Sequence, residues 1–265
     1  MVVKRSIFSV VRGTHRVLAR RRLPNRLALY FHDLPECSWP RFREAVTFFR
    51  DRGYRFVDIR QFVASVPGDR VAWISFDDNH AVWWRALALF DALDVRASFF
   101  VNSGPLGPAA CPKALCAYYD RIDHHGERVP LSVEQMVDLA HAGHTVGCHS
   151  AWHHPLTGLC ATRWQDEIAG SKARLEDIIA APVEDLAFPY GMRRFFSAPL
   201  ADYCRSIGIA RIAYGIPGFQ HEPRVDPLMI HRTRWLLEND LDRNVEDLCI
   251  DGRLFERFTG RSAIG

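Results

Sequence analysis

The chain has 265 residues, of which 48% are hydrophobic and 25% are charged, and its formal net charge is +3. This is the composition of an ordinary globular protein, so a disordered or fibrous chain is excluded. The length suits one α/β barrel or two smaller domains. No apolar run approaches the roughly 18 residues that suggest a membrane-spanning helix.

Residues 1–26 form a basic segment with eight lysines and arginines and no acidic residue. The rest of the chain is therefore net acidic, which disfavours nucleic-acid binding. Between Ile7 and Leu18, apolar residues fall roughly on one helical face and arginines on the other. The pattern predicts an added amphipathic helix that either packs on the main domain or makes peripheral contact with an anionic membrane. Because Arg12 interrupts the apolar stretch, no cleaved secretory signal is expected.

The chain contains seven cysteines, and no two of them form a CxxC pair. An odd number without paired spacing argues against a disulfide framework and favours a reducing compartment. Together with the lack of a secretory signal, this predicts a cytoplasmic protein, located at the inner membrane surface if the basic segment binds lipid.

From residue 27 onward, short apolar runs alternate with helical patterns. Strands are predicted, in chain order, at Leu27–Phe31, Arg55–Ile59, Val71–Phe76, Ala97–Val101, His144–Cys148, Asp185–Phe188, Ile209–Tyr214 and Leu228–His231. Helices are predicted near residues 41–52, 81–93, 132–142, 162–180 and 197–207. Repeated β–α units predict a mostly parallel sheet with helices outside, either open and doubly wound or closed into a barrel. No Gly-rich phosphate loop follows the first strand, which disfavours a dinucleotide fold.

Two local signals refine this arrangement. Ser132 and Gln135 have the spacing of a capping box, so a helix is expected to begin there. Residues 103–130 form a long connection interrupted by proline and glycine, and such a connection inside a compact domain is usually functional. We expect it to form a roof over part of the domain.

Polar residues follow several of the predicted strands at the point where each strand ends. Asp77 and Asp78 follow the third strand, His149 follows the fifth, and His231 ends the last. In parallel barrels the carboxyl ends of the strands converge on one mouth, where active sites are built. These side chains are therefore predicted to meet, although they are far apart in sequence.

Two histidines four residues apart, His149 and His153, would project from one side of a helical turn and bind one cation. A carboxylate from another strand, Asp77 or Asp78, would complete a two-His, one-Asp set with open positions for water and substrate. The other carboxylate would remain free as a base. In the alternative interpretation, the histidines bind no metal and the two aspartates belong to a turn or cap the following helix.

Three segments match the motifs of a known family in the same order. Ser75-Phe76-Asp77-Asp78 resembles a first motif that is usually Thr-Phe-Asp-Asp, and the segment His149–His153 resembles a second, His-Ser/Thr-x-x-His. Phe188–Gly191 resembles the aromatic-Pro-Tyr-Gly variant of the third. On these motifs the chain resembles the NodB-homology polysaccharide deacetylases, carbohydrate esterase family 4, from about residue 27 to residue 232.

The resemblance implies a distorted (β/α) barrel of about seven parallel strands, with the added N-terminal helix outside it. It also implies one divalent cation, zinc or alternatively nickel, cobalt, iron or manganese, bound by Asp78, His149 and His153. Asp77 would be the catalytic base. The family's late Leu-x-His motif, matched here with one extra residue, implies that His231 is the acid that protonates the leaving amine.

Two positions depart from the family pattern. Asn79 replaces the glycine that usually follows the aspartate pair. Phe188 stands where many members have an arginine that orients the base, so Arg232 or Arg234 would have to supply that charge. These departures leave open a binding module that keeps the barrel and has lost turnover.

Four residues outside the motif core are predicted to lie at the rim of the site. Tyr190 and Pro189 follow a predicted strand end, His32 follows the first strand, and Trp152 offers an aromatic face to a sugar. Four further histidines are predicted not to bind the metal: His80, His124, His125 and His154.

The sequence therefore predicts a basic segment, 1–26, and a deacetylase-like barrel, 27–265. The expected reaction is hydrolytic removal of an N-acetyl group from an amino sugar in a glycan or glycan precursor. Deformylation, O-acetyl ester cleavage and hydrolysis of a non-sugar amide are alternatives at the same site. The acetylated sugar is the expected partner, and the sequence does not define the oligomeric state.

Overall fold

The structure, a computed structural model, describes residues 23–107, 111–215 and 224–248. Within these ranges the β-strands are β1 Arg26–Phe31, β2 Arg55–Phe56, β3 Val71–Asp78, β4 Ser98–Val101, β5 Thr145–Cys148, β6 Asp185–Ala187, β7 Arg211–Tyr214, β8 Ile230–His231 and β9 Thr233–Arg234. The α-helices are α1 Trp39–Arg50, α2 Ile59–Ala64, α3 Val82–Arg85, α4 Leu87–Ala92, α5 Pro112–Arg121, α6 Val133–His141, α7 Ala161–Trp164, α8 Ser171–Ile179, α9 Ala198–Ser206 and α10 Leu241–Leu248. A π-helical stretch, Gln165–Gly170, joins α7 to α8.

The strands form one parallel sheet that closes on itself. Its order is β8-β7-β6-β5-β4-β3-β1-β9, and β2 pairs with the beginning of β3. β8 pairs with β7, β9 pairs with β1, and Arg232 lies between these two short strands. The segment 230–234 therefore bridges both edges of the sheet. The predicted distorted barrel of about seven strands is confirmed.

Alternate strand residues divide the core into an inner and an outer layer. The inner layer is a cluster inside the barrel that includes Ala28, Trp73, Phe100, Ala187, Ala213 and Ile230. The outer layer lies between the sheet and the helices and includes Leu27, Leu29, Phe31, Ile74 and Phe76. Strand β3 is buried along its whole length, which explains its continuous apolar sequence.

The predicted strand Arg55–Ile59 is wrong beyond Phe56. Asp58 accepts a hydrogen bond from the backbone N–H of Gln61 at 2.8 Å, and the Gln61 side chain accepts from the backbone of Asp58, forming a capping box. Ile59 therefore begins α2 instead of ending a strand. Ile59 and Phe62 join the inner cluster, so this helix packs inside the barrel near the beginning of β3.

Other helices differ from the prediction in detail. The stretch near 81–93 is two helices that meet at Ala86, and the stretch near 162–180 is interrupted by the π-helical turn. The capping box at Ser132 is confirmed, because its hydroxyl accepts the N–H of Gln135 at 3.1 Å. Helix α5 lies in the segment 103–130 and begins at Pro112, and neither it nor α10 was predicted.

The described part of the chain begins at the edge of the barrel. Leu23 already packs against the outer core, and the predicted N-terminal helix falls on residues 1–22, outside the described residues. Within the described ranges, no helix has the length and apolar character needed to cross a bilayer. The six cysteines in these ranges are all free thiols.

Candidate metal centre and active-site cleft

A polar cleft of about 230 Å³ lies at the carboxyl ends of the strands. Asp78 ends β3, Arg234 ends β9, and His149, Phe188 and Gly215 directly follow β5, β6 and β7; all five line the cleft. The strand ends converge as predicted for Asp77, Asp78 and His149, whereas His231 is not among the described residues that line the cleft.

Three buried side chains meet at the bottom of this cleft. Oδ1 of Asp78 lies 3.7 Å from Nε2 of His149 and 3.5 Å from Nε2 of His153. One potential ligand atom from each residue lies within 4.8 Å of the other two. Among the described residues this is the one group of three or more His, Cys, Asp or Glu side chains close enough to hold a metal ion together.

The ligand atoms have the orientation and protonation that a divalent cation requires. His149 donates a hydrogen bond from Nδ1 to the carbonyl oxygen of Ala187 at 2.8 Å, which leaves Nε2 free as a ligand. Burial lowers the pKa of His153 to about 3, so its ring is neutral. Burial alone would raise the pKa of Asp78, but the ring of His80 and the other neighbouring histidines outweigh it, and the pKa is lowered.

Asp78 also shows why a cation fits this position. Its Oδ1 is buried and accepts no hydrogen bond from any described residue, while both histidine Nε2 atoms lie beside it. A buried carboxylate oxygen without a partner is costly unless a cation or donor satisfies it. Two imidazole nitrogens and one carboxylate oxygen are a common donor set for catalytic zinc and related transition metals. The residues present therefore fit a divalent cation.

The second carboxylate, Asp77, is held by a buried arginine. Arg232 donates from its two terminal nitrogens to the two oxygens of Asp77 at 2.7 and 2.8 Å. The guanidinium also donates to the hydroxyl of Ser75 at 2.9 Å and lies between the rings of Tyr30 and Phe100. Arg232 is 0% exposed, so these hydrogen bonds and ring contacts hold the guanidinium in one position. It supplies the charge that Phe188 cannot.

The backbone around the cleft adopts conformations that L-residues rarely occupy. Asp78, Ser150, His153 and Tyr190 have φ values of 87°, 65°, 58° and 66°. In a regular strand adjacent residues point to opposite faces, yet Asp77 and Asp78 both line the cleft. The positive φ of Asp78 explains this departure. Such strain clusters where function requires it.

The family model described as polysaccharide deacetylase matches residues 64–211, which is more than half of the chain. The chain belongs to the polysaccharide deacetylase family. This confirms the resemblance found in the sequence motifs and supports deacetylation as its activity. No curated protein sequence matches the chain significantly.

Solved structures show the same fold as this member of the family. The deacetylase PplD of Streptococcus pyogenes, in complex with acetate, has a TM-score of 0.65 and 17% identity, covering 84% of this chain and 97% of its own. IcaB from Ammonifex degensii has a TM-score of 0.63 and 20% identity, covering 84% and 96%. A de-N-acetylase from Aggregatibacter actinomycetemcomitans has a TM-score of 0.64 and 14% identity, covering 83% and 98%. At these identities the likeness establishes the barrel.

The loop of the second deacetylase motif is held by a buried carboxylate that the sequence did not reveal. Glu167, 2% exposed, accepts the backbone N–H of Trp152 at 3.0 Å and a hydrogen bond from Nδ1 of His154 at 2.6 Å. Its carbonyl oxygen accepts the N–H of Ala151 at 2.8 Å. Glu167 lies in the π-helical turn, a feature often found at functional sites. It thus positions the loop that carries both candidate histidine ligands.

Two buried asparagines connect the strand ends around the candidate metal centre. Asn79 donates to the carbonyl oxygen of Asn102 at 2.9 Å and accepts the N–H of Leu131 at 2.7 Å. Asn102 donates to the carbonyl oxygens of His149 and Ser150. The departure of Asn79 from the family's glycine therefore has a structural role. In the sequence, the sign of this role is that an asparagine directly follows each of the apolar runs that form β3 and β4.

The predicted rim residues divide into two groups. Tyr190 and His32 line the cleft, and the ring of Tyr190 meets that of His153 at a centroid distance of 4.6 Å. Trp152 and Pro189 are not among the described residues that line it. The ring of Trp152 instead packs on Gly104, where an added Cβ would lie 2.3 Å away.

His231 is buried on β8 and does not line the cleft. Its neighbours Ile230 and Arg232 both belong to the barrel interior, one in the inner cluster and the other against Asp77. Strand alternation therefore directs His231 to the outer face. The role of His231 as the acid stays a prediction, and its position on the outer face does not favour that role.

The four histidines predicted not to bind the metal lie outside the three-residue cluster. His80 is the nearest, with Nε2 3.8 Å from Oδ2 of Asp78, and its ring lies 4.5 Å from that of His124. His154 contacts Glu167, and His125 is an exposed partner of Asp123.

Proposed function

We propose that the protein is a metal-dependent N-deacetylase that removes an acetyl group from an amino sugar in a glycan or glycan precursor. The observation that carries the proposal is the convergence of Asp78, His149 and His153 beside Asp77 in one cleft. Membership of the polysaccharide deacetylase family supports the reaction type. The cleft volume, about 230 Å³, suits a small acyl group with part of one sugar.

Asp78 through Oδ1, and His149 and His153 through Nε2, would hold one divalent cation, for which zinc is the first candidate. When bound, the cation supplies Lewis acidity at the acyl oxygen and makes water a better nucleophile at neutral pH. The remaining steps fall to groups of the protein.

Asp77 accepts the proton of the attacking water. Arg232 occupies one lone-pair direction on each carboxylate oxygen, so each oxygen keeps another for the water proton. Because the guanidinium is fixed on all sides, the carboxylate is already oriented before substrate arrives. Tyr190 and His32 line the cleft beside it, where they contact the acyl sugar.

The leaving nitrogen needs a proton when the carbon–nitrogen bond breaks. Asp77, protonated in the first step, lies in the same cleft and returns that proton to the nitrogen. Water adds across the amide bond, giving acetic acid and a free amine, which ionise to acetate and an ammonium at neutral pH, and the carboxylate of Asp77 is regenerated. His231 is left out of this scheme because alternation directs it to the outer face of the barrel.

The test is acetate release by the zinc-loaded full chain from N-acetylated sugars, with N-formyl sugars, O-acetyl sugars and simple acetamides in the same panel. Asp77→Asn is expected to lose about 100- to 10,000-fold in kcat, because a general base contributes that much. His231→Asn is expected to retain most of the activity per folded chain. Activity confined to formyl or O-acetyl substrates would replace the proposed substrate class, and equal loss in both variants would assign the acid role to His231.

A further inference from the structure

Two arginines line the cleft and have no role in the metal centre or the proposed base. Arg234 ends β9 on the wall that includes Tyr30 and His32. Burial raises the pKa of Tyr30 and lowers that of His32, and the charge of Arg234 makes a smaller contribution to each. Arg121 ends helix α5, and its charge opposes the burial that raises the pKa of Tyr190. The arginines therefore approach the cleft from separate elements.

Neither arginine is neutralised by a neighbouring carboxylate. Arg234 is exposed, and its guanidinium has no hydrogen-bond or ion-pair partner among the described residues. Arg121 donates from one terminal nitrogen to the carbonyl oxygen of Trp152 at 2.6 Å and makes no ion pair within the described ranges. Both guanidinium groups keep donors and a positive charge for a ligand.

The carboxylates that share the cleft have partners of their own. Asp77 is paired with Arg232, and Asp78 faces the histidine ligands. Asp123, the third, is largely exposed and lies 3.1 Å from the ring of His125. The three carboxylates outnumber the two arginines among the described residues that line the cleft. A bound divalent cation would reverse this balance and give the lining a net positive charge.

We propose that the substrate carries an anionic group, a phosphate ester or a carboxylate, which Arg234 and Arg121 bind while the acyl-amino group lies at Asp78. This rests on the proposed function and adds the charge class of its substrate. A neutral sugar offers hydroxyl groups and needs no unpaired guanidinium. Phosphate and carboxylate oxygens, in contrast, match the planar fork of arginine and form charge-assisted hydrogen bonds with it.

The test measures binding separately from turnover. Calorimetric titrations use the zinc-loaded full chain carrying Asp77→Asn, so that ligand is not consumed. The ligands are N-acetylglucosamine, N-acetylglucosamine 1-phosphate and an N-acetylated aminouronic acid. Arg234→Gln and Arg234→Glu are added to this background, with Arg205→Gln as the matched control, because Arg205 is exposed and pairs with Asp202 on helix α9 away from the cleft. A second series adds Arg121→Gln.

We expect at least one anionic sugar to bind about 10-fold or more tightly than the neutral sugar, with the preference decreasing as salt rises. Arg234→Gln should remove most of that preference, Arg234→Glu should abolish it, and Arg205→Gln should leave it unchanged. A larger preference for the phosphate points to a sugar phosphate, and for the carboxylate to a uronic acid.

Equal binding of neutral and anionic sugars would overturn the inference. So would a phosphate preference that survives the variants at both Arg234 and Arg121, because that phosphate would be bound by the metal ion or by Arg232, which Asp77→Asn leaves without its carboxylate partner. The proposed function is tested by a different result: it fails if the wild-type chain releases acetate from none of the sugars. Calorimetry measures the binding preference in either case, so the two proposals can fail separately.

Discussion

Arg232 donates two parallel hydrogen bonds to the carboxylate of Asp77, from a position 155 residues further along the chain. The arginine belongs to the segment that closes the barrel between β7 and β1. The same residue therefore completes the sheet and orients the proposed base. This contact accounts for the departure at Phe188, the position at which many members of the resembled family have an arginine.

Replacing Arg232 by lysine should separate orientation from charge. Lysine keeps a positive charge but cannot form the two parallel hydrogen bonds to Asp77. We expect kcat to fall by about 100-fold, the usual effect of misplacing a catalytic group by about 1 Å. Metal content should not change, because Arg232 touches none of the three candidate ligands. Unchanged kcat in Arg232→Lys would show that orientation of Asp77 does not limit the reaction.

Arg232→Met tests the same contact as a stabilising interaction. It leaves Asp77 buried without its ionic partner, which typically costs about 3–5 kcal/mol. The free energy of unfolding, measured by urea denaturation of the zinc-loaded chain, should fall by that order. Arg205→Met, on an exposed ion pair, is the control and should change it by less than about 1 kcal/mol.

Glu167 should control metal affinity without touching the metal. Glu167→Gln removes the charge that receives the hydrogen bond from His154, and so loosens the loop between His149 and His153. Loss of such an indirect contact typically weakens metal binding by about 10- to 100-fold. The dissociation constant for zinc is the measurement. The neighbouring Asp166→Asn is exposed and should leave it unchanged; equal affinities in all three proteins would contradict the assigned role.

Gly104 should be intolerant of a side chain. A Cβ at this position would lie 2.3 Å from the ring of Trp152 and 2.7 Å from the carbonyl oxygen of Ala151. Gly104→Ala should therefore lower the free energy of unfolding by about 1–3 kcal/mol, the usual cost of overpacking. Gly158→Ala is the control, because nothing lies within 4 Å of its added Cβ. Equal stability of the two variants would mean that the Trp152 loop moves freely.

His144 should make the fold sensitive to mild acid. Burial lowers its pKa from 6.5 to about 4, and its Nδ1 accepts the backbone N–H of Ala97 at 3.1 Å. Between these two pH values the unfolded chain binds a proton that the folded chain does not, so stability falls as pH falls. From pH 7 to pH 5 this group alone costs about 2 kcal/mol.

The variant His144→Gln keeps an acceptor for Ala97 and removes the titration. Urea denaturation at pH 7 and pH 5 should show a smaller loss of stability in His144→Gln than in the wild type. The exposed His141→Gln should behave like the wild type. If His144→Gln loses as much stability as the wild type, the acid sensitivity arises from other groups.

The candidate metal centre could be predicted because strand ends in a parallel barrel converge whatever their separation in sequence. Asp78 and His149 each lie where an apolar run stops, and the run itself is visible in the sequence. The choice between Arg232 and Arg234 could not be made in advance. It depends on which residues of two very short strands face inward, and no periodicity can be read from so few positions.

Glu167 was not predicted because a glutamate within a helical pattern gives no sign of burial. Its burial follows from the π-helical turn, which shifts the helical face at that point. Helix α5 was missed because the surrounding prolines and glycines are typical of loops, although Pro112 suits the first turn of a helix. Asp58 and Gln61 have the spacing of a helix start, but the apolar run beside them also fits a strand, and the sequence alone does not decide between the two.

The central claim is that Asp78, His149 and His153 hold a divalent cation beside Asp77, and metal content tests it most directly. The zinc-replete wild type, His149→Ala, Asp77→Asn and the exposed His125→Ala should be dialysed together and their bound metal measured by elemental analysis. About one ion per chain is expected in the wild type, in Asp77→Asn and in His125→Ala, and almost none in His149→Ala. A wild type without metal, or a His149→Ala chain that keeps its ion, would contradict the claim.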